Sequence, residues 1–381
     1  MRLVFVVFAF FLVAVPACAE LSKAPSVTSP RQIRAERVSK GLDRPWGLAF
    51  LPNGRGLVTE KVGRLRFVNG NGRLSDPIAG VPEVVADGQG GLLDVAVAPD
   101  FATSSMIYLS FSEARGEGKN GTSVARAVLV SEGKGGRLEN LEIIFRQEPA
   151  KESNLHLGSR LVFMPDGSLF VTMGERAYFP NEAQNPDNDL GKIVRILPDG
   201  RPYPGNPKLP GWRPEIWSIG HRNVQGAAIN PASGKLWTVE LGAMGGDEVN
   251  CPEPGKNYGW PIISYGLNYD GQPIGEGNEK EGLEQPIYYW DPAISPSGAV
   301  FYTGDKMPEW SGNLFVAALS GQSLHRLVLE GNKVVGEEIL LSDLNQRIRT
   351  VRMGPDGYLW VLTDSTEPWG EIYRVVPKPK A

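Results

Sequence analysis

Cysteine is nearly absent from the chain, with Cys18 and Cys251 the only two in 381 residues. Cys18 lies in MRLVFVVFAFFLVAVPACAE, where Arg2, the apolar run Leu3 to Val15 and the small-residue site Ala17-Cys18-Ala19 read as a secretory signal peptide over 1–19. The run is shorter than the ~20 apolar residues that span a bilayer, so no membrane span is expected. Cys18 also permits a lipoprotein, which Pro16 disfavours. Cleavage leaves Cys251 alone and excludes an intramolecular disulfide, so a periplasmic or secreted protein must be stabilised by packing.

A dominant charge is missing too. The formal net charge is -4 with no long basic run, which gives nucleic acid and anionic membrane no purchase and leaves a small molecule as the expected partner. There is no His/Cys cluster of zinc type, no GxGxxG leading from a strand into a helix, no Walker loop and no GxSxG elbow. Helix-compatible runs are short, as in the polar segment after Ser342.

Glycine (46) and proline (31) are abundant, together roughly a fifth of the chain, which suits turn-rich β structure. From Glu20 to Glu36 a Ser, Pro, Lys and Ala-rich segment without apolar periodicity reads as a flexible leader. Folding proper then covers 37–377. Within it, alternating apolar residues, a turn and renewed alternation recur as Pro45–Val68, Leu92–Ser112, Arg160–Arg176, Gly226–Gly242, Gly298–Leu319 and Val351–Ser365. Six hairpin units that bury one another's faces predict an all-β fold, a single six-bladed β-propeller, over a pair of β-sandwiches. Irregular spacing between units implies longer loops, which carry function in such folds.

The three histidines can be weighed singly. His156 stands in a polar approach, SNLHLGSRLVFMPDGSLFVTMGER, just before the third unit, at a strand mouth near the axis, and is the side chain best suited to accept a proton near neutral pH. His221 lies before the fourth unit beside Arg222 and Asn223. His325 reads as a surface residue. Arg222 and Asn223 offer fixed donors to a carboxylate or quinone oxygen, or else form a loop salt bridge. Arg347 and Arg349, at i, i+2, share one strand face before the sixth unit. Gln89 is flanked by glycines before the second. Val239–Pro261, with Asp247, Glu248 and Asn250, suits a hard cation such as calcium.

The runs HLGSRLVFMPDGSLFVTMGER, GKIVRILPDG, GHRNVQGAAINP, GGDEVN, NYGWP, GDKMPEW and RIRTVRMGPDGYLWVLTD, spread from Gly41 to Val376, resemble the soluble PQQ-dependent sugar dehydrogenases, in particular the aldose sugar dehydrogenase branch, the glucose/sorbosone dehydrogenase family. That resemblance implies a propeller holding pyrroloquinoline quinone (PQQ) and calcium, and oxidation of an aldose C1 hydroxyl to the lactone with an external electron acceptor, in a monomer or dimer. His156 is similar to the general base, which takes the hydroxyl proton as hydride passes to the quinone. Arg222 and Asn223 resemble the pair on the quinone oxygens, Arg222 also favouring charge on the reduced ring. Gln89, Arg347 and Arg349 match carboxylate contacts. Gly242 and Ala243 match carbonyl ligands of the cofactor's calcium. Glu248, Tyr258 and Tyr269 resemble a second calcium site, and Glu175 and Trp290 match positions at the substrate. The chain departs from the pattern at Ser320, beside Gly321 and Gln322, where the glucose dehydrogenase branch has a lysine on the cofactor. It departs again at Leu155, where an aspartate would orient the base, so the partner of His156 is expected from elsewhere. The segment Ala177 to Leu190 reads as a loop over the pocket. Two other functions compete: a non-catalytic propeller binding a ligand on the same face, and a calcium-dependent hydrolase, which needs axial carboxylates where this chain has mostly basic groups.

Overall fold

The computed structural model describes residues 24–28, 31–364 and 369–378, so the signal-peptide reading over 1–19 lies outside the described residues. Strand β1 (Ile33–Asp43) precedes six antiparallel sheets. Blade 1 is β2 (Pro45–Phe50), β3 (Gly56–Glu60) and β4 (Arg64–Val68). Blade 2 is β5 (Leu92–Val97), β6 (Met106–Ala114), β7 (Asn120–Glu132) and β8 (Gly135–Arg146). Blade 3 is β9 (Leu161–Phe163), β10 (Leu169–Thr172), β11 (Ile193–Ile196) and β12 (Ile216–Ser218). Blade 4 is β13 (Val224–Ile229), β14 (Leu236–Glu240), β15 (Asp247–Asn250) and β16 (Tyr288–Trp290). Blade 5 is β17 (Pro296–Phe301), β18 (Leu314–Ala318), β19 (Ser323–Glu330) and β20 (Lys333–Leu340). Blade 6 is β21 (Ile348–Met353), β22 (Leu359–Thr363) and β23 (Trp369–Pro377), with β1 as its outer strand.

Five of the six units read from the alternation are the inner two strands of a blade, the first, Pro45–Val68, takes in all three strands of blade 1, and the fold is a six-bladed β-propeller. Their tight turns share one chemistry. In Pro52-Asn53-Gly54, Pro165-Asp166-Gly167 and Pro355-Asp356-Gly357 the glycine takes φ of 83°, 82° and 80°, the left-handed conformation that closes a three-residue hairpin loop. The ring is closed by β1 on β23, with Ile33 opposite Pro377 and Ala35 opposite Val375. Strand structure thus begins at Ile33, inside the segment read as a leader; the partner strand lies at the other end of the chain, where local periodicity gives no sign of it.

Six apolar clusters fill the seams between successive blades, for example Leu57, Phe67, Leu92 and Leu109 between blades 1 and 2, or Trp237, Val249, Ala299 and Val316 between blades 4 and 5. On the axis packing is polar. Arg160 is fully buried; it pairs with Asp94 at 2.8 Å, donates from Nε to Gln225 O (3.0 Å) and from Nη2 to Ser297 O (2.9 Å), and stacks over Trp46. One guanidinium from blade 3 therefore ties the inner strands of blades 2, 4 and 5 and covers a ring from blade 1.

Candidate active site

In five blades an N–H at or just past the end of the second strand donates to the carbonyl just before the inner one: Lys61 to Arg44, Leu241 to Asn223, Leu319 to Ser295 and Asp364 to Arg347, with Ser112, still within β6, to Gly91, at 2.8–3.2 Å. Side chains beside these rungs therefore open at one end of the axis. In blade 3 the second strand runs on instead to blade 4, where Gly174 bridges Asn223 and Glu175 N donates to Arg222 O at 2.9 Å. That continuation brings His156, Glu175, Arg222 and Asn223 together.

His156 has φ of 47°, a left-handed conformation that a non-glycine residue holds only under constraint from its neighbours. Its N–H donates to Gln89 Oε1 at 2.8 Å, and Arg176, fully buried, donates to Leu155 O at 3.0 Å and to Ser153 O behind it. The ring Nδ1 lies 2.9 Å from Glu175 Oε1. A carboxylate there selects the Nδ1–H tautomer and leaves the Nε2 lone pair for a reacting group. Burial lowers the His156 pKa below the ordinary histidine value, Glu175 opposes that, and the charges of Arg222 and Arg176 add to the lowering, so the neutral base is the form held at neutral pH.

All three histidines place Nδ1 on a glutamate, but only one keeps a free ring nitrogen. His221 Nε2 meets Ser218 Oγ at 2.9 Å and His325 Nε2 meets Ser323 Oγ at 2.9 Å, with Nδ1 on Glu240 and Glu337. Among the described residues, His156 Nε2 has no protein partner. His325 is corrected from surface to interior. It is 4% exposed on β19, packed edge-on to Trp290 under the outer strand β20.

Asn223 Oδ1 accepts from Gly158 N at 3.0 Å, which fixes the amide, while its Nδ2 is buried with no partner. Arg222 is held by its backbone N–H on Glu240 Oε2 (2.9 Å) and by Nη1 on Leu241 O (3.2 Å) and Gly242 O, and its Nε is likewise buried and unpartnered. Two unmet donors on adjacent residues, beside the free histidine nitrogen, fit a ligand with acceptor oxygens. Arg349 is buried on Asp364 (3.1 Å from Nε) and Gln225 Oε1 (3.0 Å), whereas the half-buried Arg347 guanidinium makes no hydrogen bond among the described residues. Ser320 is exposed, its hydroxyl 2.8 Å from Ser295 Oγ; Gly321 N donates to Ile294 O, and Gln322 has φ of 48° in the same turn.

Of the residues read as metal ligands, Gly242, Glu248 and Tyr258 line one small cavity. Gly242 sits in a cradle where an added Cβ would lie 2.2 Å from Gly245 O, and Ala243 bridges Gly245, so carbonyls crowd the turn beside Arg222. Glu248 lies across β14–β15 from Glu240, and Asn250 Nδ2 donates to both carboxylates at 3.0 Å. Burial first, then the Glu240 charge, raises the Glu248 pKa. Asn250 Oδ1 is buried with no partner, and Glu240, Glu248, Arg222, Gly242 and Trp260 line a cavity of about 20 Å³. Glu240 and Glu248 set two carboxylates on that space, the donor type a hard cation takes. Tyr258 does not complete this set through its hydroxyl, which donates to Cys251 O and accepts from Glu253 N while the ring stacks on His221. Tyr269 is an exposed ring outside the cavity lining, its hydroxyl accepting from Arg222 Nη2 at 3.4 Å.

Two residues read as substrate contacts have other surroundings. Glu175 is 1% exposed and serves His156, which supplies the orienting carboxylate that Leu155 lacks. Trp290 is in the seam between blades 4 and 5, its Nε1 donating to Glu337 Oε1 at 2.8 Å, away from the axis. The segment 177–190 carries a 3-10 turn, Pro180–Gln184, and is fastened by buried Lys192, which donates to the carbonyls of Glu182 (2.8 Å), Ala183 (3.1 Å) and Leu190 (2.6 Å). The sequence reading missed Arg176, Glu240 and Lys61. Arg176 and Glu240 adjoin motifs already singled out, and Lys61 in TEKVG looks like an ordinary hairpin charge.

The family described as Glucose / Sorbosone dehydrogenase matches residues 42–374. Aldose sugar dehydrogenase YliI of Escherichia coli (strain K12) is 45% identical to the chain over 355 residues, covering 92% of this chain and 94% of that protein. The solved apo-form structure of the soluble aldose sugar dehydrogenase from Escherichia coli superposes with a TM-score of 0.86 at 45% identity, covering 91% of this chain and all of that one. The PQQ-bound aldose sugar dehydrogenase from Streptomyces coelicolor superposes with a TM-score of 0.77 at 30% identity, over 92% of this chain and 99% of that one.

Proposed function

The chain belongs to the glucose/sorbosone dehydrogenase family, and from that premise we propose that it is a PQQ-dependent oxidoreductase that converts the C1 hydroxyl of aldose sugars to the lactone and passes the electrons to an external acceptor. The observation that carries the reading is the neutral, glutamate-backed His156 with Nε2 free beside the unmet donors of Arg222 and Asn223.

His156 Nε2 accepts the C1 hydroxyl proton, and Glu175 steadies the imidazolium that results. Asn223 Nδ2 and Arg222 Nε hold acceptor oxygens of the cofactor, and the Arg222 charge favours negative charge developing there. Arg347 and Gln89 face its carboxylates, with Arg349 behind. When bound, PQQ supplies two-electron acceptor chemistry and calcium supplies Lewis acidity. The carbonyls of Gly242 and Ala243 are the donors for the cofactor's calcium, and Glu248 with Asn250 for a second ion.

Among the described residues no helix is long and apolar enough to cross a membrane. We infer export from the segment 1–19, which N-terminal sequencing of the mature protein would check by a start at Glu20.

The test is reconstitution of the apoprotein with PQQ and calcium, followed by dye reduction across an aldose panel. Turnover with aldoses is expected. Bound PQQ with no turnover on any aldose would leave a ligand-binding propeller in place of the enzyme.

A further inference from the structure

Lys61 follows β3 at the rung that Asp364 occupies after β22, so it opens at the same end of the axis as Arg347 and Arg349. Its Nζ donates to Gly88 O at 2.6 Å, one of three donors an ammonium carries, and no carboxylate lies within ion-pair distance of it among the described residues. The charged groups around it are Arg349 and Asp364 from blade 6, Arg44 from its own blade and Asp87 from the turn before β5. Both acids are engaged: Asp364 by Arg349, and Asp87 by Asn154 Nδ2 at 2.9 Å. Arg347 also feels Asp364 and Arg349, and among the described residues its guanidinium makes no hydrogen bond. Among the described residues, two half-buried cations without dedicated counter-ions therefore adjoin the same Arg349–Asp364 pair, an arrangement that favours entry of an anion. Gly88 precedes Gln89, which holds the His156 backbone.

We propose that Lys61 is a binding residue for a carboxylate of the cofactor, supplying with Arg347 the positive charge at the mouth of blades 1 and 6. This rests on the PQQ reading above. An anion on Lys61 would also hold the turn that carries Gln89, and through it the base.

The test titrates calcium-loaded apoprotein with PQQ and follows absorbance or protein fluorescence, with no turnover required. Lys61→Met is expected to weaken binding about 10- to 100-fold, the range of a hydrogen bond to a charged group. Lys61→Arg, which keeps the charge, stays close to wild type, and the Lys61→Met apoprotein is folded at the titration temperature by its own thermal melt. The trimethyl ester of PQQ, with no free carboxylates, binds wild type and Lys61→Met alike. Burial and the Arg349 charge push Lys61 down to about 8, so wild-type affinity weakens from about pH 7 to about pH 9 and Lys61→Arg removes that dependence. Equal PQQ affinity in wild type and Lys61→Met overturns the inference alone, as does an equal loss for the ester, which marks Lys61 as only a fastener of the Gly88 turn. Failure of wild type to bind PQQ overturns the cofactor reading and this inference with it.

Discussion

Glu175 Oε1 lies 2.9 Å from His156 Nδ1, and the two residues reach each other because the strand that carries Glu175 runs on past blade 3 to pair with Asn223 and Arg222. The carboxylate does two things to the imidazole. It selects the tautomer with Nε2 free, and it opposes the lowering of the pKa by burial. Replacement by glutamine keeps the shape and loses the charge. Glu175→Gln is expected to lower kcat. A base is active above its pKa, so activity falls as pH drops through that value; without Glu175 the value falls further, and the acid limb of kcat/KM moves to lower pH. A limb that moves upward or stays in place would show that Glu175 does not act through His156.

His156→Ala is expected to lose about 10²- to 10⁴-fold in kcat, the range of a positioned general base, with PQQ affinity retained in the same titration. Loss of cofactor binding with loss of turnover would assign His156 a binding role.

Asn223 separates binding from proton transfer. Its Oδ1 is already used by Gly158 N, and its Nδ2 is the buried donor left without a partner. Asn223→Asp keeps the acceptor for Gly158 and turns the donor into a repelling oxygen. PQQ affinity is expected to drop by at least about tenfold, one hydrogen bond to a charged group's worth. The new carboxylate is fully buried and lowers apoprotein stability, so affinity is read at a temperature where the variant is folded. Unchanged affinity would remove Asn223 from the cofactor site.

The six hairpins were legible because each inner pair alternates with period two and closes on a Pro-Asp-Gly or similar turn, signals that survive in a short window. His156, Arg222 and Asn223 were legible because polar residues directly before an inner strand lie at a blade mouth. What joins distant segments was not. Glu175 is 19 residues from His156 across a hairpin, and only the register of Gly174 on Asn223 turns it toward the imidazole. Trp290 faces Glu337 of the next blade, 47 residues on, so its strand parity directs it into a seam rather than toward the axis. Lys61 gave no local sign because its meaning comes from blade 6, which is last in sequence and adjacent in space.

The axial pair tests how the ring is held. Arg160 and Asp94 are both fully buried. Arg160→Met leaves the carboxylate with Leu161 N at 3.0 Å and Arg352 at 3.4 Å, and is expected to destabilise the apoprotein by about 3–5 kcal/mol in chemical denaturation. Asp94→Asn in the same chain should recover part of that loss, because without Arg160 the buried carboxylate keeps only the longer pair with Arg352. Additive losses would mean the two residues stabilise the axis independently.

Calcium should act on stability in a way that depends on pH, because of Glu248. Its pKa is raised in the fold, by burial and by Glu240 across the strand pair, so between the ordinary carboxylate value and the raised one the folded state binds more protons than the unfolded chain. In that window this group's contribution to stability falls as pH rises. A cation on Glu248 and the unpartnered Asn250 Oδ1 offsets the ionised carboxylate and removes the penalty. The rise in thermal midpoint on adding calcium to chelator-treated apoprotein is therefore expected to be larger at about pH 8 than at about pH 5, the added stability being about 2.7 kcal/mol at a hundredfold excess over Kd. Glu248→Gln, which carries no charge at either pH, should flatten the difference. An increment that is equal at both pH values, or that survives Glu248→Gln, would move the ion away from Glu248 and onto the carbonyls of Gly242 and Ala243.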